Sequence, residues 1–164
     1  RLMKEGGAEM VKLEWGELEI DMVARLTECG IPVCAHLGLT PQAVHKFGGY
    51  RVQGREEAAA RKMKEDALAL EQAGADVLLL ECVPTALAAE ITAAAAVPVI
   101  GIGAGPQVDG QILVLYDILD IAPGKRTRFS KNYMVGADSI HVAIGNYVRD
   151  VKAVSFPSAE HAFS

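Results

Sequence analysis

The stretch EGGAEMVKLE at residues 5–14 returns in altered form as QAGADVLLLE at residues 72–81. A second matched pair follows, LTECGIPVCAH at 26–36 and ITAAAAVPVIG at 91–101. Both copies read as a helix end, a Gly-Ala-acid turn, a strand closing on glutamate, a helix, and a Pro-Val strand. A chain that repeats β-α-β-α, with strands rich in Val, Ile and Leu, folds as a parallel sheet with helices outside it.

The rest of the chain keeps this grammar. Aliphatic runs at 9–14, 31–37, 75–81, 97–103 and 111–117 have the length of buried strands. Stretches 17–29, 55–73 and 84–95 read as helices, with Gly74 stopping the second and Pro84 opening the third. An open doubly wound sheet and a closed (β/α) barrel both satisfy the pattern. The odd polar residues favour the barrel, because they gather at carboxyl ends of strands: Lys12 and Glu14, His36, Glu81 and Asp117. Gly101, Gly103 and Gly105 mark the same edge of another strand. In a barrel that edge carries the chemistry, and Lys12 and Glu14, two apart, project to one side of their strand. The expected fold class is α/β of the (β/α)8 TIM-barrel type. A full barrel takes about 250 residues and eight strands, whereas these 164 residues supply five. The expectation is one partial barrel domain over 1–164, the carboxyl-terminal part of a longer protein, without the amino-terminal strands.

Composition narrows the function class. Hydrophobic residues make up 51% and charged ones 23%, enough for a real core, and a net charge of -5 argues against a nucleic-acid surface. The short basic run Lys125, Arg126, Arg128 and Lys131 reads as a solvated loop or a contact to an anionic ligand. No apolar run approaches the ~18 residues of a membrane span, and the opening RLMKEGGAEM is not a signal peptide. Cys29, Cys34 and Cys82 form no CxxC pair, so reduced thiols in a cytoplasmic protein are expected. Nothing near Cys82 marks a base that would make it a nucleophile.

Among candidate chemical residues, Glu81 stands directly after four aliphatic side chains. It either turns to solvent or works as a carboxylate at the mouth of a low-dielectric barrel, where desolvation strengthens a base. The matching Glu14 shifts the balance toward function. Lys12 and Glu14 read either as an ion pair or as a substrate contact beside a carboxylate able to ligate Mg²⁺, which takes one or two carboxylates and keeps several waters. GIGAGPQVDG at 101–110 departs from GxGxxG, so its glycines read first as a tight turn out of a strand and second as backbone amides that receive an anion. His36 reads as a core histidine. His45, His141 and His161 fall in loop, helix and tail without ligand spacing.

Three segments carry a wider likeness. HLGLTPQAVHKFGGYRVQGR (36–55), LLLECVP (78–84) and VPVIGIGAGPQVDGQILVLYD (97–117), with MVKLE (10–14) and FPSAEHAFS (156–164), resemble the ketopantoate hydroxymethyltransferase family over essentially the whole chain. The resemblance implies a (β/α)8 barrel of which this chain supplies strands four to eight. It also implies transfer of a hydroxymethyl unit from 5,10-methylenetetrahydrofolate to 3-methyl-2-oxobutanoate, giving 2-dehydropantoate, with Mg²⁺ in the barrel mouth and a large homo-oligomer. By motif, Glu81 corresponds to the proton acceptor, Glu14 to a magnesium ligand and Lys12 to a substrate contact. The family's two metal-binding aspartates lie on earlier strands. Chelation of a 2-oxo acid acidifies its C3–H, a carboxylate removes that proton, and Lys12 places positive charge near the substrate oxygens.

One departure is visible: where the family usually has two glycines after VKLE, this chain has Trp15 and Gly16. The loop 37–54 reads as a cover over the site or as a subunit contact. Two rivals stand beside the transferase. One is another magnesium-dependent barrel acting on 2-oxo-acid enolates, such as a phosphoenolpyruvate mutase or isocitrate lyase relative, which would need a catalytic cysteine or a phosphate site. The other is an inactive partial barrel whose open sheet edges promote association.

Overall fold

The computed structural model describes residues 1–14, 16–43, 45, 49 and 51–164. Trp15 and most of the centre of the 37–54 loop lie outside the described residues. Five strands form one sheet: β1 (Val11–Glu14), β2 (Val33–Gly38), β3 (Val77–Glu81), β4 (Val99–Ile102) and β5 (Gly110–Gln111). They lie in sequence order and every adjacent pair is parallel. Helices α1 (Gly16–Glu28), α2 (Glu57–Gln72) and α3 (Thr85–Ala94) connect the first four. The strand order never reverses among the described strands, so the sheet has no switch point of the doubly wound kind.

Side-chain alternation then separates two faces. The register pairs Val11 with Val33, Leu13 with Ala35, Ala35 with Leu78, Leu37 with Leu80 and Leu78 with Val99. These residues share a core with Val23 of α1, Met63, Ala67 and Leu70 of α2, and Leu87, Ala88 and Ile91 of α3. Leu78 and Leu80 are fully buried, and each such leucine contributes about 1.5–3 kcal/mol by leaving water. All three helices therefore cover one face. The opposite face receives the alternate residues: Lys12, Glu14, Cys34, His36, Leu79, Glu81, Ile100 and Ile102. One-sided helical cover over consecutive parallel strands is how a barrel wall is built.

Two aspartates set the amino edge of the sheet. Asp76 accepts from the Val33 backbone N–H at 2.9 Å while its own N–H donates to the Val33 carbonyl. Asp109 does the same for Val99, at 2.8 Å. Each clamp fixes where a strand begins, and so where its far end delivers its polar residue.

The fifth run departs from expectation. Residues 111–117 were expected as a strand ending in Asp117, yet the ladder stops at Gln111 and the chain turns into the short helix α4 (Leu115–Ile118). Ile112, Val114, Leu115 and Tyr116 are exposed, and Asp117 lies on that helix rather than at the sheet's carboxyl edge. A short apolar run fits a strand and a helix equally well by pattern. Here the ladder bond from Ile112 N–H to the Gly101 carbonyl is the last, and Tyr133 N–H instead donates to the carbonyl of Ile118.

Beyond it, α5 (Ile140–Lys152) is capped by Ser139, whose hydroxyl accepts from Val142 N–H. It packs Ala143 and Tyr147 onto a second cluster with Ile118, Leu119, Tyr133 and Phe156. Three mutual edge-to-face contacts, at 5.5–6.0 Å between ring centroids, join Tyr133, Tyr147 and Phe156. The carboxyl-terminal tail returns to the helices that cover the sheet: the Phe163 carbonyl accepts from both the backbone N–H and the hydroxyl of Thr85 at the start of α3.

Candidate active site

Glu14 and His36 are register partners on β1 and β2, and Glu81 closes β3 opposite Gly38. Because alternate residues share a face, the three side chains and Lys12 converge at the carboxyl edge. Lys12 Nζ donates to Glu14 Oε1 at 2.6 Å and to His36 Nδ1 at 2.9 Å. His36 Nδ1 also lies 3.4 Å from Glu14 Oε1, while its Nε2 lies 3.3 Å from Glu81 Oε2. The imidazole thus sits between the two glutamates. Its side chain is 1% exposed, against 16% for Glu14 and 14% for Glu81, so both carboxylates are partly desolvated yet still open to a small molecule.

Burial pushes the Glu14 carboxyl upward, but the hydrogen bond and charge of Lys12, with a smaller contribution from His36, outweigh it and hold the group below the ordinary glutamate range. Glu14 is therefore a carboxylate at neutral pH. Its Oε2 is buried and has no hydrogen-bond partner among the described residues. An ionised, buried, unengaged carboxylate oxygen fits a hard divalent cation such as Mg²⁺. Among the described residues no three His, Cys, Asp or Glu side chains converge as a complete metal cage, so this chain offers one carboxylate of the one or two that magnesium takes.

The backbone around Glu81 is tightly held. Gly38 has φ +93°, and a Cβ there would overlap the Glu81 carbonyl oxygen and approach Val83 Cγ2 at 2.8 Å. That carbonyl accepts from Leu39 N–H at 2.8 Å. Cys82, the next residue, adopts φ +51°, which costs a non-glycine residue about 1–3 kcal/mol. It is held there by its N–H donating to the Ile102 carbonyl and its carbonyl accepting from Gln53 N–H, both at 2.9 Å. Burial first, and the neighbouring Glu81 second, push the Cys82 thiol up to about 12. A thiol so protonated is a poor nucleophile.

The remaining candidates lie elsewhere. Gly103 and Gly105 have φ of +63° and +79°, and a Cβ at Gly105 would meet the Thr85 side chain within 3 Å, so these glycines serve close packing in a turn. Three residues of the basic run are engaged locally: Arg126 pairs with Asp120, Arg128 with the Glu160 carbonyl, and Lys131 with Asp150. His161 Nδ1 lies 2.8 Å from Ser158 Oγ in the tail. None of the three cysteines forms a disulfide, and no described helix is long and apolar enough to cross a membrane.

The comparison with known proteins agrees with this geometry. The ketopantoate hydroxymethyltransferase family model matches residues 1–159. This chain belongs to that family. The 3-methyl-2-oxobutanoate hydroxymethyltransferase of Alkalilimnicola ehrlichii is 62% identical across 99% of this chain, which covers 59% of the relative. Those of Hahella chejuensis and Pseudomonas aeruginosa PAO1, each numbered 2, are 56% and 59% identical across 99% and 100% of this chain, which covers 61% and 62% of them. The chain therefore spans about three fifths of the length of these family members.

His36 is the residue that sequence reasoning undervalued. Its signal was present: it lies near the carboxyl end of the strand between those that end in Glu14 and Glu81. Once the three strands are taken as consecutive neighbours, the buried histidine is seen to stand between the two glutamates.

Proposed function

We propose that the intact protein transfers a hydroxymethyl group from 5,10-methylenetetrahydrofolate to 3-methyl-2-oxobutanoate, giving 2-dehydropantoate, as in pantothenate biosynthesis. This chain would supply the last five strands of the (β/α)8 barrel. The observation that carries the reading is the joining of Lys12, Glu14 and Glu81 through His36 at one carboxyl edge. The family match supports the reaction class, and the one-sided helical cover supports the barrel.

In this reading Glu81 is the base that takes the C3 proton of the oxo acid. Its partial burial removes competing water while leaving a path for substrate. Lys12 keeps a cationic nitrogen at the mouth, facing the oxygens on which negative charge grows. Glu14 would hold Mg²⁺ through Oε2 while Oε1 stays with Lys12. Bound magnesium supplies Lewis-acid polarisation of the oxo acid and so makes the C3–H more acidic. Water opens the folate's methylene bridge and supplies the hydroxyl oxygen. The C3 carbanion equivalent forms the new C–C bond to that carbon as its remaining C–N bond breaks. The proton held by Glu81 passes to the departing nitrogen, so that tetrahydrofolate leaves. In this reading the intact protein works in the cytoplasm as a homo-oligomer.

The test is direct. The intact protein, given both substrates and Mg²⁺, should form 2-dehydropantoate detectable by NMR, and chelation of the metal should stop it. Turnover of a phosphorylated substrate instead would favour the enolate-barrel rival.

A further inference from the structure

Helix α3 begins without a side-chain cap, because Pro84 occupies the cap position and its ring carries no acceptor. The first N–H groups of a helix stay orphaned unless something outside supplies an acceptor. Here the far end of the chain does so. The Phe163 carbonyl accepts from Thr85 N–H at 2.9 Å and from the Thr85 hydroxyl at 3.1 Å. The Phe163 ring meets Phe129 edge to face at 6.4 Å between centroids, and the Arg128 guanidinium lies over it at 5.6 Å. Phe129 in turn packs on Gly103, where a Cβ would come within 2.9 Å of its ring. One residue of the tail therefore ties the segment after β3 to the segment after β4.

We propose that Phe163 is a positioning residue for Glu81, the tail being a strap that holds the β3–α3 connection in its working geometry. The inference rests on the reading of Glu81 as the base. That connection is only Cys82, Val83 and Pro84, and Cys82 is left-handed at φ +51°. A residue in that region stays there only where its surroundings over-determine it. On one side Cys82 N–H and Val83 N–H donate to the Ile102 and Gly103 carbonyls. On the other the double bond of Thr85 to the Phe163 carbonyl anchors the start of α3. Across so short a link, movement of α3 is passed to Glu81. A tail that merely sealed the core would bury its ring among the leucines of α2 and α3. Phe163 instead stays half-buried, against residues of the 124–131 loop.

Ending the intact protein after Ala162 removes the carbonyl and the ring together, and Cys82, 5% exposed beside Glu81, reports on the connection. Its labelling by iodoacetamide should rise by roughly 5–30-fold, the worth of one or two lost hydrogen bonds. Cys34 on β2 should label at its wild-type rate. The kcat for C3 hydrogen exchange of the oxo acid should fall by roughly 10–100-fold, with KM changed less than about twofold, as for a displaced catalytic group. Phe163→Tyr keeps ring and carbonyl and should match the wild type in both. Should the shortened protein not fold, Thr85→Val removes only the hydroxyl donor and should raise Cys82 labelling about two- to tenfold. Wild-type labelling of Cys82 in the folded variants overturns the strap. Faster labelling with wild-type kcat, or an equal rise at Cys34, overturns the positioning role while leaving the transferase reading intact. Absence of any C3 exchange in the wild type overturns the reading of Glu81 as the base, and with it this role for Phe163, whatever the labelling shows.

Discussion

Gly38 passes Glu81 so closely that a Cβ at position 38 would overlap the Glu81 carbonyl oxygen. The ends of β2 and β3 are thus locked by the absence of one methyl group. Gly38 also has φ +93°, a conformation that L side chains rarely adopt. Gly38→Ala should destabilise the fold by roughly 2–4 kcal/mol, the range of backbone clash and strain combined. A fall in the urea midpoint at unchanged m-value checks this. A midpoint equal to wild type would mean that the strand ends separate freely.

The depressed Glu14 carboxyl has a consequence for acid stability. Between its folded and unfolded values the native state binds fewer protons, so the stabilisation is complete above the unfolded value. It is lost as pH falls through the folded value. The stability advantage of wild type over Glu14→Gln should stay constant near neutrality and shrink below about pH 4.3, the ordinary glutamate range. An advantage that grows on acidification would contradict the ion-pair geometry.

Thiol labelling separates Cys82 from its neighbours in sequence. Cys29 is exposed, whereas Cys82 is 5% exposed with its thiol pushed up to about 12. Iodoacetamide at pH 8 should modify Cys29 readily and leave Cys82 unmodified until the protein is unfolded, as read by mass spectrometry. Labelling of native Cys82 at the rate of Cys29 would reopen a nucleophilic role.

The apolar surface around the end of the sheet makes a further expectation. Ile112, Val114, Leu115 and Tyr116 are exposed beside the two-residue strand β5, and Ile140, Ile144 and Val148 form an exposed stripe along α5. Exposed patches of this kind and open strand edges favour association. The 164-residue chain alone should sediment as concentration-dependent oligomers. A single monomeric boundary at all concentrations would contradict this.

Much of the architecture was legible before any coordinates. Four strands and three helices fall within about two residues of the expected bounds, because their apolar runs are flanked by decisive signals such as Gly74 and Pro84. The repeat placed Glu14 and Glu81 at equivalent ends, and the Lys12–Glu14 spacing put both on one face. The fifth run failed because ILVLY is apolar without direction: nothing local says whether it continues a ladder or turns into a helix. His36 is buried as expected, but its contacts with Lys12 and the glutamates were not legible. Its partners come from strands 24 and 45 positions away in the chain, and only the parallel register brings them together.

The central claim is that Glu81 is the base, and hydrogen exchange at C3 of 3-methyl-2-oxobutanoate in D₂O tests it most directly. The folate is omitted, so only proton removal is observed, in the intact protein with Mg²⁺. Wild type should exchange the hydrogen, and Glu81→Gln should be slower by roughly 10²–10⁴-fold, the usual worth of a general base. Exchange by Glu81→Gln at the wild-type rate would contradict the claim.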